Sequence, residues 1–178
     1  MSAHKPLEGV KVVELASFVA APTAGRMMAE MGADVIRVES TAGDPWRFYG
    51  ANCGLPITDE ENPLFDIYNL GKKDIQLNTK TPEGKEILFH LLDEADVFIT
   101  NNRLKSLVRS GLDYESLKDR FPKLIYGLVT GYGQTGPDVD APGYDGVAFF
   151  SRSGMLADMA EPSGYPCLLY TSDAADDK

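Results

Sequence analysis

The stretch "VKVVELASFVAAPTAGRMMAEMGADVIRVES" constrains the fold most, because strand and helix patterns alternate within it. Val10–Ala16 is a short, β-branched, mostly apolar run typical of a buried strand, and "ADVIRVES" has the same character. Between these runs, Met27, Met28 and Met31 recur at helical spacing before Gly32 ends the helix, and we expect the methionines to pack in the core. Strand, helix and strand in so short a span predict a βαβ unit.

The same alternation continues along the chain. It predicts further strands at Asp74–Asn78, Asp96–Thr100 and Lys123–Gly131. Thr81 opens a helix with a hydroxyl N-cap that is followed by Pro and Glu. Shorter helical patterns follow in "RLKSLVRSG", "DYESLKDRFP" and "YDGVAFFSRSGML". We therefore predict an α/β fold with about five mostly parallel strands and flanking helices.

Residues 41–74 interrupt this rhythm with a long segment rich in Gly, Pro, Asp and Asn. Loops of this length in compact domains usually carry function or fold into small local structure. We expect one or both here.

Charge and composition exclude several classes of function. The net charge is 17 − 27 = −10, whereas nucleic acid or an anionic membrane would require a basic face. The start "MSAHKPLEG" lacks the apolar segment of a signal peptide, and no apolar run approaches the ~20 residues of a membrane helix. Cys53 and Cys167 are isolated, without metal-ligand spacing, which favours free thiols in a cytoplasmic protein without a metal.

Several polar side chains follow the predicted strands directly. In open α/β sheets, ligands bind outside the carboxyl ends of the strands, where loops lead into helix N-termini. Asn101 and Asn102 supply amides there, and Lys80, Arg103 and nearby Arg109 supply cations. This combination suits a ligand that bears phosphate. The alternative is that the three cations are ordinary solvated surface charges.

Three other motifs suggest other roles, namely nicotinamide binding, a P-loop and a helix N-cap. Glu39 ends the second strand, where an acid could bind a ribose, as in nicotinamide-dependent oxidoreductases. The turn "ASFVAAPTAG" has Gly25 alone, however, and lacks the glycines that a pyrophosphate requires. "GYGQTGP" lacks the Lys-Ser/Thr of a P-loop, so its glycines indicate a tight turn with close backbone packing. We expect Asp145 to be a helix N-cap.

Four longer stretches resemble the class III coenzyme A transferases. They are "LEGVKVVELASFVAAPTAGRMMAEMGADVIRVESTAGDPWR", "NLGKKDIQLNTKTPEGKEI", "ADVFITN" and "GYGQTGPDVDAPGYDGVAFFSRSG". "TNNRLKSLVRSGLDYESL" is most similar to the branch that acts on 2-hydroxy acids, the phenyllactate and 2-hydroxyisocaproate CoA-transferases of amino-acid-fermenting anaerobes. The resemblance runs from about Leu7 to about Ser163 and implies part of a large Rossmann-like domain into which CoA docks.

The resemblance also implies a CoA site, residue by residue. Val19, Ser40 and Thr130 differ from the side chains of some relatives. The implied CoA-binding residues are Val19, Ala20, Leu77, Lys80, Asn101, Asn102, Arg103, Arg109, Thr130, Gly131 and Tyr132. CoA and acyl-CoA would be substrates, with a small carboxylic acid as the second substrate and no permanently bound cofactor.

The chemistry implied by the family requires one aspartate, which attacks the acyl-CoA and passes through anhydride and thioester intermediates. A related branch, the α-methylacyl-CoA racemases, has a histidine where this chain has Tyr144, which argues against racemase chemistry. The nucleophile is expected past the helix that Asp145 opens. Asp173 arrives early there and lacks a following glycine, so it is only a weak candidate.

The resemblance further predicts that this sequence is the N-terminal part of a longer protein. Relatives of the family are more than twice as long and form an interlocked homodimer. We expect residues 1–166 to belong to the large CoA-binding domain and residues 167–178 to be non-native or disordered. On this interpretation the 178-residue chain has no transferase activity by itself. A non-catalytic CoA- or nucleotide-binding module is the alternative.

Overall fold

A computed structural model of the chain describes residues 5–58 and 60–159. The chain divides into two compact units, Met1–Val129 and Thr130–Lys178. The first unit contains a five-stranded sheet whose strands pair in parallel in the order β3-β2-β1-β4-β5. The strands are β1 (Lys11–Leu15), β2 (Asp34–Glu39), β3 (Lys73–Gln76), β4 (Val97–Thr100) and β5 (Ile125–Leu128).

Helices connect these strands, as the alternation predicted. The long segment after β2 contains local structure: two short α-helices and a 3-10 helix (Gly50–Cys53). The helices of the first unit are α1 (Ala20–Glu30), α2 (Trp46–Tyr49), α3 (Pro63–Asn69), α4 (Pro82–Glu94), α5 (Leu104–Ser110) and α6 (Tyr114–Leu117). The α/β class with a parallel sheet is therefore confirmed.

Side chains alternate between two hydrophobic clusters because successive residues of a strand point to opposite faces of the sheet. Val13 and Phe98 pack with Leu88 of α4 and Leu107 of α5 on one face. Val12, Val35 and Ile99 pack with Ala21 of α1 on the other face. The sheet is thus covered on both sides, as expected for parallel strands.

The helix ends follow the predicted local chemistry. Thr81 caps α4 through its side-chain oxygen, which accepts a hydrogen bond from Gly84 N at 3.2 Å. Gly111 ends α5 in the left-handed conformation, with φ of 65°. The helix expected in "DYESLKDRFP" is confined to the four residues of α6.

The prediction that all three methionines of α1 pack in the core is wrong for two of them. Met28 packs against the cluster around Val12, but Met27 and Met31 are 51% and 42% exposed. The helix buries only its stripe of Ala21, Pro22 and Gly25 against the sheet, so the side chains on its outer face remain at the surface.

The second unit holds two short helical segments, a π-helix (Gly146–Ser151) and α7 (Met155–Asp158), separated by Gly154 with φ of 81°. The single helix predicted in "YDGVAFFSRSGML" is therefore broken. Gly131 lies against Gly143 so closely that a Cβ on either residue would overlap the other backbone. Gly133 and Gly136 have positive φ values. This confirms the tight turn and close packing predicted for "GYGQTGP".

No helix within residues 5–58 and 60–159 is both long and apolar enough to span a bilayer. In that same part of the chain, no group of three or more His, Cys, Asp or Glu side chains is arranged to hold a metal ion.

Candidate functional site

The strand order creates a crevice at the carboxyl edge of the sheet. The chain moves from β1 outward to β2 and β3, and then returns past β1 to form β4 and β5. The helices that follow β1 and β4, α1 and α5, therefore lie on opposite faces of the sheet. Such a topological switch point is where open α/β sheets bind ligands.

Ser17, Phe18 and Val19 form the turn that leads from β1 into α1. The amide of Ser17 donates to Asn101 Oδ1 at 3.0 Å, and Asn101 Nδ2 donates to the carbonyl of Ser17 at 2.7 Å. Phe18 follows with φ of 63°, which is the only positive φ of a non-glycine residue in the described ranges. The side chain of Asn101, in the loop after β4, thus connects this loop to the loop after β1.

Asp44 joins the segment after β2 to the same turn. Its carboxylate accepts from Phe18 N at 3.1 and 3.2 Å and from Trp46 N at 2.8 Å. It also accepts from the guanidinium of Arg37. Asp44 is 3% exposed, so these contacts are shielded from water.

Behind this turn, Arg37 and its neighbours form a buried ionic cluster beneath α1. Arg37 and Glu14 are both fully buried. Lys72 Nζ donates to Glu14 at 2.8 Å, to the Pro22 carbonyl at 2.8 Å and to Asn69 Oδ1 at 3.0 Å. Burial raises the pKa of Glu14 and lowers the pKa of Lys72, while their mutual attraction opposes both changes.

Arg47 extends the cluster towards the sheet edge. It donates to Glu39 Oε1 at 2.7 Å and to Asp74 Oδ2 at 2.7 Å, and its guanidinium lies 3.7 Å from the centroid of the Phe65 ring. Burial alone would raise the pKa of Glu39, but hydrogen bonds from Arg47 and Asp74 and the charge of Arg37 lower it to about 2. Burial and the neighbouring Glu39 raise the pKa of Asp74 to about 7.

The structure brings most predicted residues of the first unit to the carboxyl edge. Val19 is the N-cap of α1 and Ala20 its first residue. Leu77 follows β3, where its amide donates to the Glu39 carbonyl at 2.9 Å, and Lys80 lies exposed beyond it. The amide of Asn102 donates to Thr100 Oγ1 at 3.2 Å directly after β4.

The two arginines after β4 lie at opposite ends of α5. Arg103 is the exposed N-cap of this helix, and Arg109 lies exposed in its last turn. Six residues separate them, which corresponds to about 9 Å along the helix axis. Arg103 therefore belongs to the strand end itself, and Arg109 lies farther from it. Within the described residues, neither arginine forms an ion pair and Lys80 forms none either.

The remaining predicted residues belong to the second unit. Thr130 Oγ1 accepts from Gly133 N at 2.8 Å, which stabilises the glycine turn. The guanidinium of Arg152 lies 4.9 Å from the centroid of the Tyr132 ring and pairs with Asp138 at 2.7 Å. Gly131 takes part in the close approach to Gly143.

The sequence singled out two carboxylates, Asp145 as a helix N-cap and Asp173 as a weak candidate for the nucleophile. Asp145 is the N-cap of the π-helix and accepts from Gly146 N at 2.9 Å, which confirms that it heads a helix. Asp173 and the predicted boundary at Pro166 lie outside the described residues.

The nicotinamide interpretation of Glu39 fails on geometry. Glu39 is 3% exposed, and its carboxylate already accepts hydrogen bonds from Arg47 and from Asp44 N. A ribose would have to displace these buried partners. Gly25 serves packing, because a Cβ at this position would overlap Glu14 Oε2.

No local sequence pattern pointed to Asp44, Arg37 or Glu14 as part of the site. Glu14 and Arg37 are charged residues in strand interiors, each with an apolar residue on either side in the sequence, and they pair directly in the sheet. A charged residue in a strand that is buried on both faces requires a partner. The need for such partners was therefore the feature of the sequence that could have revealed this cluster.

With this geometry established, the comparisons with known proteins identify the family. The chain belongs to CoA-transferase family III, whose family model matches residues 7–174. This is the family to which the sequence stretches pointed. The match extends past Pro166, and the boundary at that residue stays a prediction.

Curated relatives include the two enzymes of the 2-hydroxyacid branch. The chain is 51% identical over 158 residues to cinnamoyl-CoA:phenyllactate CoA-transferase of Clostridium sporogenes, covering 89% of this chain and 38% of that protein. It is 45% identical over 160 residues to (R)-2-hydroxy-4-methylpentanoate CoA-transferase of Clostridioides difficile, covering 90% and 40%. The chain spans about two fifths of the length of these relatives.

A solved structure shares the fold. The crystal structure of a CAIB/BAIF family protein from Brucella suis superposes with a TM-score of 0.83 at 41% sequence identity. The superposition covers 92% of this chain and 43% of that protein. The fold of this chain is therefore that of part of a family III protein.

Proposed function

We propose that the protein containing this chain transfers coenzyme A between an acyl-CoA and a carboxylic acid, and that this chain supplies part of the CoA site. The observation that carries the proposal is membership of CoA-transferase family III over residues 7–174. The exposed cations and the helix N-terminus at the switch point support a CoA site at this edge.

The geometry suits an extended ligand with several phosphates. Lys80 follows β3 and Arg103 follows β4, and these strands are three sheet positions apart. At 4.8 Å per strand, their ends are about 14 Å apart. Two exposed cations at that spacing could each contact a different phosphate of CoA, while α1, with Val19 and Ala20, presents its first amides between them.

The substrate class follows from the relatives. Two of them are named for phenyllactate and (R)-2-hydroxy-4-methylpentanoate, and both substrates are 2-hydroxy acids. A third, at 45% identity over 165 residues, is succinate–glutarate CoA-transferase of Agrobacterium fabrum. We propose a 2-hydroxy acid because the higher identity falls on the phenyllactate enzyme.

The proposed reaction proceeds on one aspartate carboxylate. It attacks the thioester carbonyl of the donor and expels CoA thiolate, which leaves a mixed anhydride. The thiolate attacks the aspartyl carbonyl of the anhydride, releasing the donor acid and leaving an aspartyl-CoA thioester. The acceptor carboxylate then displaces the thiolate to form a second anhydride. Attack of the thiolate on the acceptor carbonyl yields the new acyl-CoA and the free aspartate.

Further properties are proposed from family membership. We expect a cytoplasmic homodimer that takes part in amino-acid fermentation, with CoA as a substrate and no permanently bound cofactor. Asp173 remains a weak candidate for the nucleophile, and Arg109, Asn102, Leu77, Thr130, Gly131 and Tyr132 remain proposed CoA contacts.

A calorimetric titration of the 178-residue chain with CoA tests the binding proposal. Lys80→Ala and Arg103→Ala should each weaken CoA binding about three- to tenfold, because each removes a charged contact to a phosphate. The matched control is Lys123→Ala, an exposed lysine before β5 at the opposite edge of the sheet, which should leave the affinity unchanged. Equal affinities in all three variants would contradict the proposed site.

Exchange of CoA between cinnamoyl-CoA and phenyllactate by the protein containing this chain, followed by mass spectrometry, tests the reaction. CoA binding without exchange on any of several hydroxy and dicarboxylic acids would instead favour a non-catalytic CoA-binding module. Rapid exchange of the α-proton without acyl transfer would favour racemase chemistry.

A further inference from the structure

We propose that Asp44 and Asn101 are positioning residues that hold the turn after β1 in the conformation required for CoA binding. The inference rests on the proposed function, because it assigns these side chains a role at that same site. The turn consists of Ser17, Phe18 and Val19, which connect β1 to the first amides of α1.

Asn101 holds Ser17, the first residue of the turn, through both the N–H and the carbonyl of Ser17. Its amide oxygen accepts from Ser17 N at 3.0 Å, and its amide nitrogen donates to Ser17 O at 2.7 Å. A two-point contact of this kind fixes the position and the orientation of Ser17. It also occupies both ends of the Asn101 amide, so this side chain acts through the turn.

Asp44 holds the next residue. Both of its carboxylate oxygens lie within 3.2 Å of Phe18 N. Trp46 N and the Arg37 guanidinium donate to the same carboxylate. Since Asp44 is 3% exposed and already accepts these hydrogen bonds, it is placed to orient the turn from below, with no surface left for a ligand.

The conformation of Phe18 explains why the turn requires anchors. With φ of 63°, Phe18 adopts the left-handed conformation. That conformation is unfavourable for a residue with a Cβ, and it persists only where the surroundings enforce it. The two anchors follow different strands, β4 and β2, and hold the peptide group that precedes Phe18, Asn101 at its carbonyl oxygen and Asp44 at its N–H. They supply the enforcement that a glycine at this position would not need.

The buried cluster makes the Asp44 anchor rigid. Arg37 is fully buried between Asp44, Asn69 and two nearby glutamates, and Phe65 lies 4.9 Å from its guanidinium. A carboxylate paired to a buried guanidinium has little freedom to rotate. The charge cluster missed by the sequence patterns is thereby connected to the CoA-binding edge.

A comparison of glycine and alanine at position 18 tests this role. Asn101→Ala and Asp44→Ala should each weaken CoA binding about tenfold in the wild-type background. In a Phe18→Gly background the same changes should weaken binding less than threefold, because glycine adopts the left-handed conformation without the anchors. In a Phe18→Ala background, which loses the ring but keeps the Cβ, the loss should stay near tenfold.

Controls separate positioning from stability. Asp113→Ala removes another buried carboxylate, the N-cap of α6, and should lower the unfolding midpoint without changing CoA affinity. If Asp44→Ala does not fold, because it leaves Arg37 without its partner, Asn101→Ala decides the matter through the same comparison. An equal loss of affinity in the Phe18→Gly and Phe18→Ala backgrounds would overturn the proposal.

A measurement without ligand distinguishes this inference from the proposed function. In the wild-type chain, the amides of Ser17 and Phe18 should exchange slowly with solvent deuterium, and each anchor variant should accelerate exchange at its own partner at least tenfold. Rapid exchange of both amides in the wild type would overturn the anchors. Slow exchange without any CoA binding would support the anchors and contradict the proposed function.

Discussion

At the scale of single residues, the sheet face beneath α1 buries charged side chains at strand positions where the sequence pattern predicts apolar ones. Glu14 and Arg37 occupy interior positions of β1 and β2, and Lys72 reaches them from the turn before β3. Arg37 Nε makes no hydrogen bond, although Glu14 and Glu39 lie 3.9 and 3.5 Å away. The space for this cluster exists only because α1 carries a glycine opposite Glu14.

We predict that Gly25→Ala destabilises the chain by about 1–3 kcal/mol, the usual range for overpacking a core. The new Cβ would overlap Glu14 Oε2 and approach Lys72 Cε at 3.3 Å, so the buried ion pair would have to move. Urea unfolding measures the change in free energy. Gly146→Ala is the control, since a Cβ there meets nothing within 4 Å, and its effect should stay within about 0.5 kcal/mol.

At the scale of elements, the neighbouring strands β2 and β3 each carry a carboxylate, and the pKa values of these two groups change in opposite directions. Burial and the neighbouring Glu39 raise the pKa of Asp74 to about 7, whereas Arg47, Asp74 and Arg37 overcome the effect of burial and lower the pKa of Glu39 to about 2. Below about pH 7, Asp74 in the folded state carries a proton that it can donate to Glu39. The folded state thus binds an additional proton between the ordinary pKa of an aspartate and pH 7.

The pH dependence of stability follows from this additional proton. The contribution of Asp74 is present below about pH 4 and is lost as the pH rises towards 7, because the folded state then has to release a proton. The contribution of Glu39 to stability has the opposite pH dependence: it is complete above about pH 4.5 and is lost as the pH falls below that value. Between about pH 5 and pH 8, stability should therefore fall as the pH rises.

Asp74→Asn should remove this decline, because asparagine does not titrate. Since Asp74 is partly exposed, we expect the difference in unfolding free energy between variant and wild type to shift in favour of the variant by about 1 kcal/mol from pH 5 to pH 8. Urea unfolding of both proteins at the two pH values gives this difference. The same difference at both pH values would refute the shared proton.

At the scale of the whole molecule, the first unit contains all five strands and both hydrophobic clusters of the described chain. Every partner in the Asp44–Arg37–Glu14 cluster also lies within it. The positioning of the turn after β1 thus depends on this unit alone.

We predict that a chain of residues 1–129 folds without the second unit. It should unfold cooperatively on heating, with a circular-dichroism spectrum of mixed helix and strand. A chain of residues 1–117 is the control, since it lacks β5 and Phe121 and leaves the contact between Phe98 and Tyr126 unmade. Absence of a cooperative transition in residues 1–129 would contradict the prediction.

The order and class of the elements were predictable from local patterns. The β-branched runs located all five strands to within a few residues, and Thr81 and Gly111 marked helix ends correctly, because capping and strand burial are local or periodic effects. The same patterns predicted that Lys80, Asn101 and Arg103 would share an edge, since parallel strands place all their carboxyl ends together.

Contacts between distant segments could not be predicted in this way. No local pattern indicates that Asp44 reaches Phe18 or that Lys72 reaches Glu14 across 58 positions. Nor does periodicity reveal which side of α1 faces the sheet, which is why Met27 and Met31 were misplaced. Such contacts depend on how the helices dock.

The sequence by itself determined the parallel α/β architecture and the family, and it predicted the edge of the sheet that we propose binds CoA, because each follows from local periodicity or from motifs. Only the tertiary structure decided how that edge is held. Folding brings Asn101 and Asp44 to the carbonyl and the N–H of the peptide group between Ser17 and Phe18, and it buries the charges behind them, where low polarity makes each ionic contact strong and each missing partner costly. Those interactions exist only once the strands and helices have packed.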